Sequence, residues 1–136
     1  MAGYSATPLA KKLGFKAPLT VLTVDAPPGY LDWLDGLDPG VSFTTRAGKA
    51  VEAAHVFVTK VATLRGQARS LRGRLAGAGF VWISWPKKAS GVSSEVTEDT
   101  VREVALPLGF VDVKVCAVSE VWSGLKLVIR KSERRE

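Results

Sequence analysis

VDVKVCAV (111–118) and GLKLVIR (124–130) are separated only by the short connection from Ser119 to Ser123. Both runs are rich in β-branched and apolar residues, and so short a link joins strands that lie side by side and antiparallel. The chain therefore closes on an antiparallel strand pair. In the first of these strands Val111, Val113, Val115 and Ala117 are predicted to face inward. Cys116 falls on the opposite face, packed beneath a helix. The text before this pair has a different rhythm. TVLTVD (20–25), AHVFVT (54–59) and FVWISW (80–85) are apolar on nearly every position, as strands covered on both faces are. VSFTTR (41–46) is a further strand.

Helical patterns lie between these strands. Thr7-Pro8 opens a short helix that ends at Gly14. Tyr30 to Leu37 is predicted as a second short helix, with Leu31 and Leu34 inward. Val61, Leu64, Ala68, Leu71 and Leu75 recur at spacings of three and four, which predicts a helix over 61–76 ended by Gly77-Ala78-Gly79. Gly66 and Gly73 weaken it, each by roughly 1 kcal/mol relative to Ala. Thr97, followed by Glu98 and Asp99, caps a last helix whose inner face carries Val101, Val104, Ala105 and Leu108.

Strands alternating with helices imply a mostly parallel, three-layer α/β sheet, here ending in the antiparallel pair. The expected organisation is a helical arm at 1–18, one Rossmann-like domain at 19–131 and a charged tail at 132–136. A chain of 136 residues suits one domain and buries enough surface to need no staple. One cysteine, Cys116, excludes an internal disulfide, and with one histidine, His55, no metal site is predicted. No apolar run approaches the ~18 residues of a membrane span, and the first residues lack the apolar stretch of a signal peptide, so a soluble cytoplasmic protein is expected.

The net charge is +6, unevenly spread. Residues 60–88 hold Lys60, Arg65, Arg69, Arg72, Arg74, Lys87 and Lys88 and no acid. Such a cluster suits an anionic partner. Arg65, Arg69 and Arg72 form a basic stripe beside the buried face of their helix, a candidate surface for nucleic acid or an acidic protein. It lacks the interleaved aromatics that stack on single-stranded bases.

A parallel sheet that ends in an antiparallel pair resembles the class I methyltransferase fold, and GAGFVWIS (77–84) looks like the passage into that fold's fifth strand. The resemblance implies that the third strand and its helix are missing between Arg46 and Ala54. It also implies a glycine-rich turn after the first strand and an acid at the end of the second, for S-adenosylmethionine. Here the turn is Asp25-Ala26-Pro27-Pro28-Gly29, with two prolines that donate no N–H, and the second strand ends in Thr44-Thr45-Arg46. Conventional S-adenosylmethionine binding is therefore not expected. With no GxGxxG or P-loop pattern either, no cofactor is predicted. The chain as a whole also resembles a small bacterial family of unknown function, through GYSATPLAKKLG (3–14), SWPKKASG (84–91), REVALPLG (102–109) and VDVKVCAVSEVWSGLKLVIR (111–130).

Ligands of open α/β sheets lie beyond the carboxyl ends of the strands. That rule gathers Asp25 and Gly29 from the first strand, Lys60 from the third, and Lys87, Lys88, Ser90 and Gly91 from the fourth. Three lysines on one edge would accept a phosphate, with loop N–H groups completing the cradle. No Ser–His–Asp set or pair of catalytic carboxylates is evident, and His55 reads as packed or hydrogen-bonded. Three functions stay open: a non-enzymatic module for a small anion or nucleotide at this rim, a reduced methyltransferase-like enzyme, and a binder of nucleic acid or protein through the basic segment. The oligomeric state is left open.

Overall fold

The computed structural model describes residues 7–134; residues 1–6 of the predicted arm and 135–136 of the predicted tail lie outside them. The core is one six-stranded mixed sheet of order β2-β1-β3-β4-β6-β5. Its strands are β1 (Leu19–Val24), β2 (Val41–Thr44), β3 (Val51–Phe57), β4 (Leu75–Pro86), β5 (Phe110–Ala117) and β6 (Trp122–Ile129). The first four run parallel, and β6 inserts antiparallel between β4 and β5. The chain is thus an α/β Rossmann-like sandwich that closes on an antiparallel pair, as the sequence predicts.

Two helices, α2 (Val61–Arg74) and α3 (Glu98–Ala105), cover one face. Leu64, Leu71, Val101 and Ala105 pack there against Leu22, Val56, Ile83 and Leu125 of the strands. The buried stripe read from α2 is correct, but its end is not. The helix stops at Arg74, and the Gly77–Gly79 stretch belongs to β4. Glycine is needed at 79, because a Cβ there would lie 2.7 Å from the Glu52 carbonyl oxygen and 2.8 Å from Leu75. Gly66, by contrast, is exposed with open space where its Cβ would stand. Gly66→Ala is expected to raise stability by about 1 kcal/mol, read from the urea unfolding midpoint.

The opposite face has little helix to cover it. A single turn, α1 (Leu9–Lys12), and a 3₁₀ turn at Tyr30–Trp33 lie on it, and aromatic rings fill the remaining space. Phe15, Tyr30, Phe43, Phe57 and Trp122 form a chain of edge-to-face contacts with centroids 5.0–6.1 Å apart between neighbours. The predicted 30–37 helix is a correction. It lasts only to Trp33; Leu34 is buried as predicted, but Tyr30 is buried in place of Leu31, which is 59% exposed. Gly36, at positive φ, breaks the pattern soon after.

β5 also departs from the predicted pattern. It is an edge strand with a register shift between Asp112 and Lys114. The extra residue inverts the expected alternation. Val113 and Val115 are exposed, while Phe110 and Cys116 are buried. Cys116 is buried as expected, in the cluster on the aromatic face that includes Ala10 of α1, Leu13 and Trp82.

The return from β2 to β3 takes only residues 45–50. It runs beside Thr20 and Leu22 of β1, with which it encloses a cavity of about 290 Å³. The β1-to-β2 connection lies on the aromatic face, whereas α2 links β3 to β4 on the other. Crossovers thus change face next to β1, which in an open α/β sheet marks the place for a ligand at the carboxyl ends.

Candidate functional site

At that place lies an open cavity of about 700 Å³, lined by the end of β1, the turn after it and the end of β2. Asp25 and Gly29, both at positive φ, bend the chain sharply out of β1 and into the 3₁₀ turn. Gly29, Pro27 and Tyr30 form one wall, and Phe43, Thr44, Thr45 and Arg46 form another. The Thr44 hydroxyl accepts from the Arg46 N–H at 3.2 Å and donates to the Arg46 carbonyl at 3.4 Å, which fixes the exit of β2. Asp32 and Arg46 are the charged residues of the lining. Among the described residues the Arg46 guanidinium makes no hydrogen bond or ion pair. Arg65 and Arg69 make none either, whereas Arg72, Arg74, Arg102, Arg130 and Arg134 all do.

Behind this cavity Tyr30 anchors a buried polar chain. Its hydroxyl lies 2.8 Å from His55 Nδ1, and His55 Nε2 lies 2.8 Å from Ser84 Oγ. His55 and Ser84 are fully buried. Burial lowers the His55 pKa to about 3 and raises that of the Tyr30 phenol, so both are neutral at pH 7. A neutral imidazole has one N–H for two neighbours. If Ser84 donates to Nε2 and Nδ1–H donates to Tyr30, the phenol hydrogen is left for another acceptor. The packed, hydrogen-bonded histidine expected from sequence is found, and its two partners come from two other elements, the 3₁₀ turn and β4.

The predicted rim residues are not brought together around this cavity. Gly29 lines it and Asp25 adjoins it, but Lys60, Lys87, Lys88, Ser90 and Gly91 are not in its lining. Several donors assigned to an anion already have internal acceptors. Lys87 Nζ donates to the Ser119 carbonyl at 2.8 Å, and the Ser90 hydroxyl donates to the Lys87 carbonyl at 2.6 Å. The Glu95 carboxylate accepts the Val61 N–H at 3.0 Å, so a side-chain anion of the protein already sits at the start of α2. Lys60 and Lys88 are exposed. On the basic stripe Arg65 and Arg69 are exposed. Arg72 instead clamps the chain end, donating to the Leu108 carbonyl at 2.9 Å and pairing with Glu133 at 3.0 Å. Among the described residues no group of three or more His, Cys, Asp and Glu could hold a metal. None of the helices there is long and apolar enough to cross a membrane.

Tyr30, Asp32, Phe43, Thr44, Thr45 and Arg46 are cavity residues that sequence reasoning left out of its candidate site. The signal was present in Arg46 and the strand end beside it, but the predicted 30–37 helix turned Leu31 inward and Tyr30 away.

Neither models of known protein families nor curated proteins match this chain. Solved structures do. An S-adenosylmethionine-dependent methyltransferase from Aquifex aeolicus superposes with a TM-score of 0.68 at 16% identity, over 89% of this chain and 87% of its own. The ribosomal protein L11 methylase of Lactobacillus delbrueckii subsp. bulgaricus gives 0.58 at 13% identity, over 90% and 75%. The fibrillarin pre-rRNA processing protein of Methanococcus jannaschii gives 0.55 at 12% identity, over 94% and 71%. The chain therefore has the Rossmann-like fold of the methyltransferases. At such low identity the likeness defines the fold.

Proposed function

We propose that the protein is a reduced, methyltransferase-like protein that binds a nucleoside-type ligand in the cavity at the carboxyl ends of β1 and β2. The observation that carries this is the position of that cavity. It lies at the topological switch of a fold whose solved examples include S-adenosylmethionine-dependent enzymes. Its volume, about 700 Å³, is in the range of small-ligand sites. Phe43 and Tyr30 offer apolar walls for a base, and Thr44, Thr45 and Asp32 offer hydroxyl and carboxylate partners for a sugar. The methyltransferase-like reading thus draws better support than an anion module at the lysine rim.

The amino-acid end of S-adenosylmethionine fits less well. Pro27 and Pro28 have no N–H, and the Tyr30 N–H is held by the Pro27 carbonyl at 3.1 Å. The turn therefore lacks the row of backbone donors that a carboxylate needs, and no methyl-transfer step is derived for this chain. A thermal-shift titration with adenosine, S-adenosylhomocysteine and S-adenosylmethionine tests the proposal. A ligand at a hundred times its Kd should add about 2.7 kcal/mol. Adenosine-bearing ligands are expected to raise the Tm, and Phe43→Ala to reduce the shift. No shift with any of the three would overturn the nucleoside assignment.

A further inference from the structure

We infer that the ligand of this cavity is a nucleotide carrying a phosphate on the 2′-hydroxyl of its ribose, held by Arg46. The inference rests on the nucleoside reading above and names the chemical class within it. Three observations carry it. Arg46 lines the cavity at the end of β2, where a ribose lies when an open α/β sheet holds a nucleoside. A carboxylate at that place accepts hydrogen bonds from a ribose diol; a guanidinium cannot accept them, and donates instead. An arginine at this position suits a ribose phosphate, which takes a bidentate pair of N–H bonds.

The second observation is that this guanidinium has no partner among the described residues; Arg65 and Arg69 on the exposed stripe of α2 share that, but of these three Arg46 alone lines the cavity, and Arg72, Arg74, Arg102, Arg130 and Arg134 are each engaged with a carbonyl or carboxylate. The third is that its backbone is fixed. The two-way Thr44–Arg46 hydrogen bonding holds the strand exit, so Arg46 projects from a defined point. The hydroxyl of Thr45, also in the lining, can donate to a further phosphate oxygen. Asp32, on the 3₁₀ turn, remains as an acceptor for a sugar hydroxyl.

The test compares adenosine, adenosine 2′-monophosphate, adenosine 5′-monophosphate and S-adenosylmethionine by calorimetric titration at fixed salt, on the intact chain and on three variants. The 2′-monophosphate is expected to bind at least about tenfold more tightly than adenosine, the gain of a charge-assisted hydrogen-bond pair. In Arg46→Ala that ratio should fall to near one, and in Arg46→Lys it should be intermediate. Arg46 is exposed, so an unchanged Tm of the unliganded variant would show that the fold is intact. Equal binding of all four ligands by the intact chain would overturn the inference and leave the nucleoside reading in place. A gain from the 5′-phosphate as large as from the 2′ would overturn the 2′ assignment. A preference that survives Arg46→Ala but disappears in Lys60→Ala/Lys88→Ala would place the phosphate on the lysine edge. Binding of none of them would remove both readings together.

Discussion

His55→Ala is expected to lower the stability of the protein by about 3–5 kcal/mol, measured by urea unfolding at pH 7. The substitution opens a cavity beside Tyr30 and Phe57, whose ring stacks on the imidazole with centroids 4.3 Å apart. It also removes the partner of the Tyr30 and Ser84 hydroxyls, and each buried polar group left alone costs about 1–3 kcal/mol. Tyr30→Phe should cost less, because it orphans one imidazole nitrogen and keeps the ring. A second readout follows from protonation. Burial lowers the folded pKa of His55 to about 3, below the ordinary value of 6.5. Below pH 6.5 the unfolded chain takes a proton that the folded chain refuses. The stability from a neutral His55 is therefore complete above pH 6.5 and declines as the pH falls toward 3. The slope approaches about 1.4 kcal/mol per pH unit. This part of the pH dependence should vanish in His55→Ala. An unchanged slope would mean that the imidazole is not the group refusing the proton.

Trp82→Ala is expected to cost about 5 kcal/mol, enough to leave a domain of ordinary stability largely unfolded. Trp82 is fully buried in β4. Its indole N–H donates to the Leu13 carbonyl at 2.9 Å, which ties the end of α1 to the middle of the sheet. Trp82→Phe separates the two contributions. It keeps most of the apolar volume but leaves the Leu13 carbonyl without its donor, at about 1–3 kcal/mol. Hydrogen exchange should then rise at residues 9–15 with the sheet still protected. Uniform loss of protection across the chain would show that α1 and the sheet unfold as one unit.

The strands and their directions were legible because β-branched runs bounded by Gly and Pro carry that information locally. The closing pair was legible for the same reason, since few residues separate its strands. What escaped was set by tertiary contacts. The alternation of β5 gives the wrong inward residues, because one extra residue between Asp112 and Lys114 changes the face of all that follow. The Tyr30–His55–Ser84 chain depends on the registers of β3 and β4 and on a turn arriving from β1. No spacing in the sequence encodes it. Glu95 reaching the start of α2 is likewise a meeting of residues far apart in the chain. Of the site, Asp25 and Gly29 could be placed from a strand end. The lysines were placed from strand ends as well, but a strand end does not say that the Lys87 ammonium already has a carbonyl to bond.

The bulge in β5 also bears on how the native molecule meets other copies of itself. Unpaired strand edges are templates on which a second chain can add, and both ends of this sheet are blunted against it. At one end β2 is only four residues long. At the other, the register shift twists β5 beside the exposed Val113 and Val115, and Lys114 puts a charge on the same edge near Lys126. Edge-to-edge fibril growth from the folded state is thereby disfavoured. Aggregation would start instead from chains that have lost part of the fold and released FVWISW, the most apolar strand, from the centre of the sheet.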